Sequence, residues 1–170
     1  GSCLTVSNSV AVNIKVLLEG PYQGAGLMSD ALRTSSLLPT SEPYTAMGFT
    51  QTGGGGGETV NASVFTTTGD NAIVDWVLVE LRNATTPSQV MSTRCGLLQK
   101  DGDIVGPDGV SSLVLSALPG NYYVAVRHRN HLGIMTGSAV ALSGNAASID
   151  FRQSATPTWG TQARKDLGGL

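Results

Sequence analysis

The stretch that most constrains this chain is AIVDWVLVELR at residues 72–82. Its apolar residues follow one another almost without a break, and most are β-branched or aromatic. That is the pattern of a strand buried on both faces, not of one that alternates between core and water. Asp75 sits inside the run. A buried carboxylate needs hydrogen-bond donors or a cation, and the cationic pair on another strong strand is Arg127 and Arg129.

Other segments support the same class. Residues 10–18, VAVNIKVLL, carry Val10, Val12, Ile14, Val16 and Leu18 at period two and stop at Gly20-Pro21. Residues 58–67, 89–99, 110–118, 122–129, 135–143 and 146–151 read as further strands. The turn sequences Thr68-Gly69-Asp70-Asn71, Asp101-Gly102, Pro107-Asp108-Gly109 and Pro119-Gly120-Asn121 punctuate them. With 22 Gly and only 13% charged residues, and with no long amphipathic helix, the chain is expected to be all-β. The architecture predicted is an Ig-like or prealbumin-like antiparallel β-sandwich of about eight strands.

The organisation expected is an N-terminal arm at 1–9, a sandwich domain at 10–151 with an insertion at 22–57, and a C-terminal extension or linker at 152–170. Within the insertion, residues 22–52 lose all periodicity. Leu27, Met28, Leu32, Leu37, Leu38 and Tyr44 are too many apolar groups to leave wet, so this long loop is expected to pack down. Residues 53–57 are five consecutive glycines. No Lys-Ser/Thr pair follows them, so they do not form a phosphate loop. They mark a flexible link or a close backbone approach.

Bulk properties exclude some partners. A net charge of −2 and a pI near 5.5 give no basic footprint for nucleic acid. No apolar run is long enough to insert in a membrane as a helix. Cys3 and Cys95 are too few for a disulfide scaffold. They either pair, tying the arm to an inner strand of an exported protein, or are two small buried thiols.

The densest polar cluster is RHRNH at 127–131, which holds both histidines. On a continuous strand, Arg127, Arg129 and His131 share one face while His128 and Asn130 take the other. A metal site from both histidines would need the strand to end near Asn130, which Gly133 permits. No carboxylate-rich motif adjoins, and no metal or cofactor is expected. No serine sits on an elbow motif, so no catalytic residue is assigned. The cluster is instead expected to form a structural polar network, Arg127 and Arg129 pairing with Asp75 or Glu80 and holding the long loop. Asp101, Asp103 and Asp108 lack the bidentate Glu of an EF-hand and read as turn residues. Trp76 reads as core. Trp159, Tyr22, Tyr44 and Tyr123 remain for a glycan, and a groove of one or two rings with His128, Asn130 and His131 stays open. Asn61-Ala62-Ser63 and Asn83-Ala84-Thr85 match the glycosylation acceptor pattern.

Two resemblances follow from these motifs. Val77-Leu78-Val79-Glu80-Leu81, the Asp101-Gly102 turn and the corner Leu118-Pro119-Gly120-Asn121-Tyr122 resemble prealbumin-like sandwiches of secreted proteins, such as Cna-B repeats and carboxypeptidase regulatory domains. The peptidase metal ligands and catalytic groups are missing, so the resemblance implies only the scaffold. GGGGGET from residue 53, NAIVDWVLVELR from 71, LLQKDGD from 97 and NYYVAVRHRNHLGIMT from 121 resemble a module near the C-terminal end of very large secreted proteins of Bacteroidetes-type bacteria. That resemblance implies a secreted or cell-surface location and other domains of the same polypeptide as partners. The function expected is a non-catalytic module, structural, adhesive or self-assembling at the cell surface. The alternative is a carbohydrate-binding module attached to a secreted glycoside hydrolase, with a polysaccharide as partner.

Overall fold

The structure, a computed structural model, describes residues 8–165. Its strands are β1 (Val10–Lys15), a short hairpin β2 (Tyr22–Gly24) and β3 (Leu27–Met28), then β4 (Ile73–Asn83), β5 (Val90–Gln99), β6 (Asp103–Val105), β7 (Leu113–Leu115), β8 (Gly120–His128), β9 (His131–Met135), β10 (Val140–Leu142) and β11 (Ala147–Asp150). A single-turn helix α1 (Ala31–Thr34) lies between β3 and β4. Among the described residues no helix is long and apolar enough to cross a membrane.

Nine strands share one hydrogen-bonded sheet in the order β10-β8-β4-β5-β6-β1-β11, with β7 also on β1 and β9 also on β8. The sheet folds back on itself. Val10, Val12 and Ile14 of β1 meet Val77, Val79 and Leu81 of β4 and Val124 and Val126 of β8 in one aliphatic core. The fold-back carries the N–H of Ala11 to the carbonyl of Ser143, 2.8 Å away and one residue past β10. The result is a β-sandwich, as its sequence pattern predicts. Among the described residues its pairings are antiparallel except one: β1 and β11 run parallel, in register from Val12 with Ala147 to Lys15 with Asp150.

β4 is buried on both faces. Its second face presents Ile73, Trp76 and Leu78 to a separate cluster with Leu38, Tyr44, Val60, Cys95 and Leu97. The cover is the segment at 31–66, which lacks sheet structure apart from an isolated bridge between Ser41 and Thr59. Tyr44 Oη donates to the carbonyl of Trp76 at 2.8 Å, and Trp76 Nε1 donates to that of Pro39 at 2.9 Å.

Several expectations are corrected. Residues 22–52 are not one featureless loop, because the β2–β3 hairpin and α1 lie within them. Leu38 and Tyr44 do pack down, and Met28 enters the sandwich core, but Leu37 is 67% exposed. The strand expected at 58–67 is largely a 3-10 turn at Ala62–Thr66. There Asn61 takes the Ser63 N–H with its side chain, competing with a ladder bond. The strand expected at 110–118 shrinks to β7, since Asp108 captures the N–H groups of Val110 and Ser111. Residues 135–143 split between the end of β9 and β10, and Gly137 instead bonds the carbonyl of Pro157.

The glycine run makes a close backbone approach. Thr93 N–H donates to the Thr52 carbonyl at 2.8 Å, and Thr52 N–H donates to Thr93 Oγ1 at 2.9 Å. The segment thereby seals the edge of β5 beyond its pairing with β6, which involves only Leu97 and Leu98. A Cβ on Gly55 would stand 2.2 Å from the Thr93 carbonyl oxygen, so no side chain fits there. The Leu118–Tyr122 corner is closed by Tyr122 Oη, which donates to the Leu118 carbonyl at 2.8 Å. Tyrosine corners of Greek-key sandwiches use the same device. In the C-terminal extension, residues 157–159 lie along the end of β9, with Trp159 N–H on the Met135 carbonyl at 2.9 Å and Gly137 N–H on the Pro157 carbonyl at 2.9 Å.

Candidate functional site

Three polar constellations lie on or beside the second face of β4. The first is at the β8–β9 hairpin. β8 ends at His128 and β9 begins at His131, so Arg129 and Asn130 form a two-residue turn and the histidines become a cross-strand pair. The continuous-strand expectation, which sent them to opposite faces, is overturned because the chain reverses. Paired residues of a hairpin share a face.

The hydrogen-bond pattern orders this pair. His128 Nδ1 accepts the Asn130 N–H at 3.1 Å, so its ring proton belongs on Nε2, which donates to Asp75 Oδ2 at 3.0 Å. His131 Nδ1 lies 2.9 Å from His128 Nδ1 and must therefore be the donor. That leaves His131 Nε2 to accept the Gly20 N–H at 3.2 Å. The relay thus runs Gly20, His131, His128, Asp75. Arg129 closes it, with Nη1 2.8 Å from Asp75 Oδ1 and Nη2 2.7 Å from Oδ2.

Asp75 owes its position to a bulge. The β4–β5 register shifts between Ile73 and Asp75, so Val74 faces the sandwich core while Ile73 and Trp76 face the second cluster. Burial opposes ionisation of Asp75, but the bonds from His128, Arg129 and the Trp76 N–H outweigh it and hold the carboxyl below its usual range. Burial, reinforced by the neighbouring His128, lowers the His131 pKa from its ordinary 6.5.

The second constellation is a charged belt across β4 and β8. Glu80 is 2% exposed. Its Oε1 accepts from Arg127 Nη1 at 3.0 Å, and its Oε2 accepts from Arg82 Nε at 2.9 Å and Nη2 at 2.5 Å. Arg127 also lies over the ring of Phe49, 4.8 Å from its centroid, which ties the covering segment to the belt. Sequence reasoning named Glu80 and Arg127 but missed Arg82. The signal was available: residues two apart on a strand share a face. Beside the belt, Tyr123 and Trp159 meet edge to face, 5.3 Å between centroids. Arg82, Arg127, Met135 and Trp159 border an open groove of about 200 Å³.

The third constellation was not anticipated. Glu42 and Glu58, both buried, converge on Cys95, their donor atoms all within 4.8 Å of one another. They form the one three-donor group with metal-like spacing among the described residues. Their chemistry points elsewhere. Glu42 accepts N–H bonds from Tyr44 at 2.6 Å, Thr45 at 3.1 Å and Gly57 at 3.0 Å. Glu58 accepts from Gly56 at 3.1 Å and Cys95 at 3.3 Å. Burial and the two nearby carboxylates push the Cys95 thiol far up, so it is protonated, with Sγ 3.6 Å from Glu42 Oε2. These carboxylates anchor the glycine run and the cover.

The remaining predicted residues do not join a common site. Asn130 contributes its backbone N–H, and Tyr44 is fully buried and unavailable to a glycan. Lys15 spans Asp101 at 2.9 Å and Asp103 at 2.8 Å, while Asp108 caps its own turn. Asn83 Oδ1 accepts the N–H groups of Thr85 and Thr86, giving its acceptor-like sequence a turn-forming role. Cys3 lies outside the described residues, and so does the proposed Cys3–Cys95 pair. No family model matches the chain, and no curated protein or solved structure shows significant similarity to it.

Proposed function

We propose that the chain is a non-catalytic β-sandwich module of an exported multidomain protein, acting as a structural or adhesive unit at the cell surface. One observation carries this reading: the groups best suited to chemistry are committed to one another. Asp75, His128, His131 and Arg129 form a closed relay, and Glu80 is held between two guanidinium groups. A polar network whose members are all satisfied rigidifies the fold around it. The reading agrees with the motif resemblance to large secreted bacterial proteins. The test is a broad panel of glycans and peptides incubated with the purified chain, with and without divalent metals. The expected outcome is no product above blank. Metal-dependent release of product from any member would sink the reading.

A second reading, a carbohydrate-binding module, is favoured by the Tyr123–Trp159 pair, with Trp159 half exposed beside the groove. Retention on insoluble polysaccharides tests it. A chain that washes through every one of them is not such a module.

A further inference from the structure

We infer that the groove bordered by Arg82, Arg127, Met135 and Trp159 is a binding site for an acidic saccharide, a pyranose carrying a carboxylate. The inference rests on the adhesive reading above and names what would be gripped.

Charge is the first observation. Two guanidinium groups border the groove, and the buried Glu80 balances only one of them. The local excess is one positive charge, in a chain whose overall charge is −2. This excess selects for a monoanion and against a neutral sugar.

Donor geometry is the second. Arg82 spends Nε and Nη2 on Glu80 and Nη1 on the Pro87 carbonyl at 3.3 Å. Arg127 spends only Nη1 on Glu80, and its Nε and Nη2 have no hydrogen-bond partner among the described residues. Its side chain is 45% exposed. Glu80 on one side and the Phe49 ring on the other hold the guanidinium in place. A fixed fork with two spare donors suits a carboxylate, and its rotamer entropy is already lost before the ligand arrives.

The third observation is the apolar wall. Trp159 is 50% exposed, its ring braced edge to face on Tyr123 and its backbone bonded to Met135 in β9. The C–H face of a pyranose packs on such a ring while its polar substituents reach the arginine. A groove of about 200 Å³ is smaller than drug-sized pockets and suits one sugar residue of a longer chain. The extension at 152–165 therefore completes the site by delivering Trp159 to the sandwich.

The experiment is isothermal titration of the full chain with trigalacturonate and with its fully methyl-esterified form, which keeps the ring and removes the charge. Products are followed by chromatography in the same samples. The expected result is binding of the acid, at least tenfold weaker binding of the ester, and steep weakening with added salt. Trp159→Ala should weaken acid binding at least tenfold while lowering the thermal melting point by no more than about 5 °C. Arg127→Gln should bring acid binding down to the level of the ester while ester binding is retained, which folding failure alone would not do. Equal binding of acid and ester, binding indifferent to Trp159→Ala, or no heat at ligand concentrations of about 1 mM would overturn the inference. All three leave the non-catalytic reading standing, whereas product in the chromatogram would remove that reading instead.

Discussion

The two faces of β4 are buried by different means. On the inner face, Val77, Val79 and Leu81 meet aliphatic side chains from strands on every side, and the backbone polar groups there are satisfied by sheet ladders. On the outer face, Trp76 and Leu78 lie beneath a segment with almost no ladder of its own. Turn bonds such as Phe49 N–H to the Tyr44 carbonyl satisfy part of that segment's backbone, and the side chains of Glu42, Glu58 and Thr93 take further N–H groups. The inner face rests on apolar burial, worth about 1.5–3 kcal/mol per large side chain and without directional demand. The outer face adds buried charges, whose contribution depends on each one keeping its partners.

The sharpest way to break this comparison is Asp75→Ala, which strands Arg129 and His128. It should lower stability by about 3–5 kcal/mol, read as a shift in urea midpoint. Adding Arg129→Ala should return part of that loss, because no buried charge is then left unmatched. A loss below about 1 kcal/mol would mean that water already solvates the network.

Next in size is Gly55→Ala, where the added methyl meets the Thr93 backbone. About 1–3 kcal/mol is expected, against a change within about 0.5 kcal/mol for Gly144→Ala, where a Cβ meets nothing within 4 Å. Thermal melts of the two variants give the contrast directly, and equal melting points would refute it.

The relay makes the outer face sensitive to acid. The His131 pKa is lowered from 6.5, so the unfolded chain takes up that proton more readily than the folded one. Stability is therefore complete above pH 6.5 and falls as pH drops below it. Asp75, also lowered, adds a second loss as pH falls below its unfolded value of about 3.9. Urea midpoints at pH 7.5 and 5.5 should separate for the native chain and draw together for His131→Asn. An unchanged separation in the variant would assign the acid sensitivity to another group.

The smallest effect should come from Lys15→Met. Its bridges to Asp101 and Asp103 are about one-third exposed, so the cost should not exceed about 1 kcal/mol. A larger loss would make this surface cluster part of the fold's foundation, alongside the outer face.

The same contrast explains what could be read from the residues. The inner face was legible because β1 alternates Val10, Val12, Ile14 at period two, and because β4 is too apolar to serve one face alone. That Asp75 would need cationic help was also legible, because an isolated carboxylate in such a run is untenable. The outer cover was legible only as apolar content, since Leu38 and Tyr44 carry no period that gives their direction. The histidine relay was missed because Arg129-Asn130 lacks the Gly expected of a two-residue hairpin turn. The glutamate cradle was missed because Glu42, Glu58 and Cys95 are distant in sequence and only the fold brings them together.

The parallel pairing of β1 with β11 has a mechanical consequence. One strand opens the sandwich and the other closes it, and four residue pairs from Val12–Ala147 to Lys15–Asp150 join them side by side. Tension that draws the two ends of the domain apart pulls these strands along their length in opposite directions. Their hydrogen bonds then lie across the force and share it, instead of opening one after another as in a hairpin peeled from its end. Resistance to such a pull is set by how many of these bonds must break together.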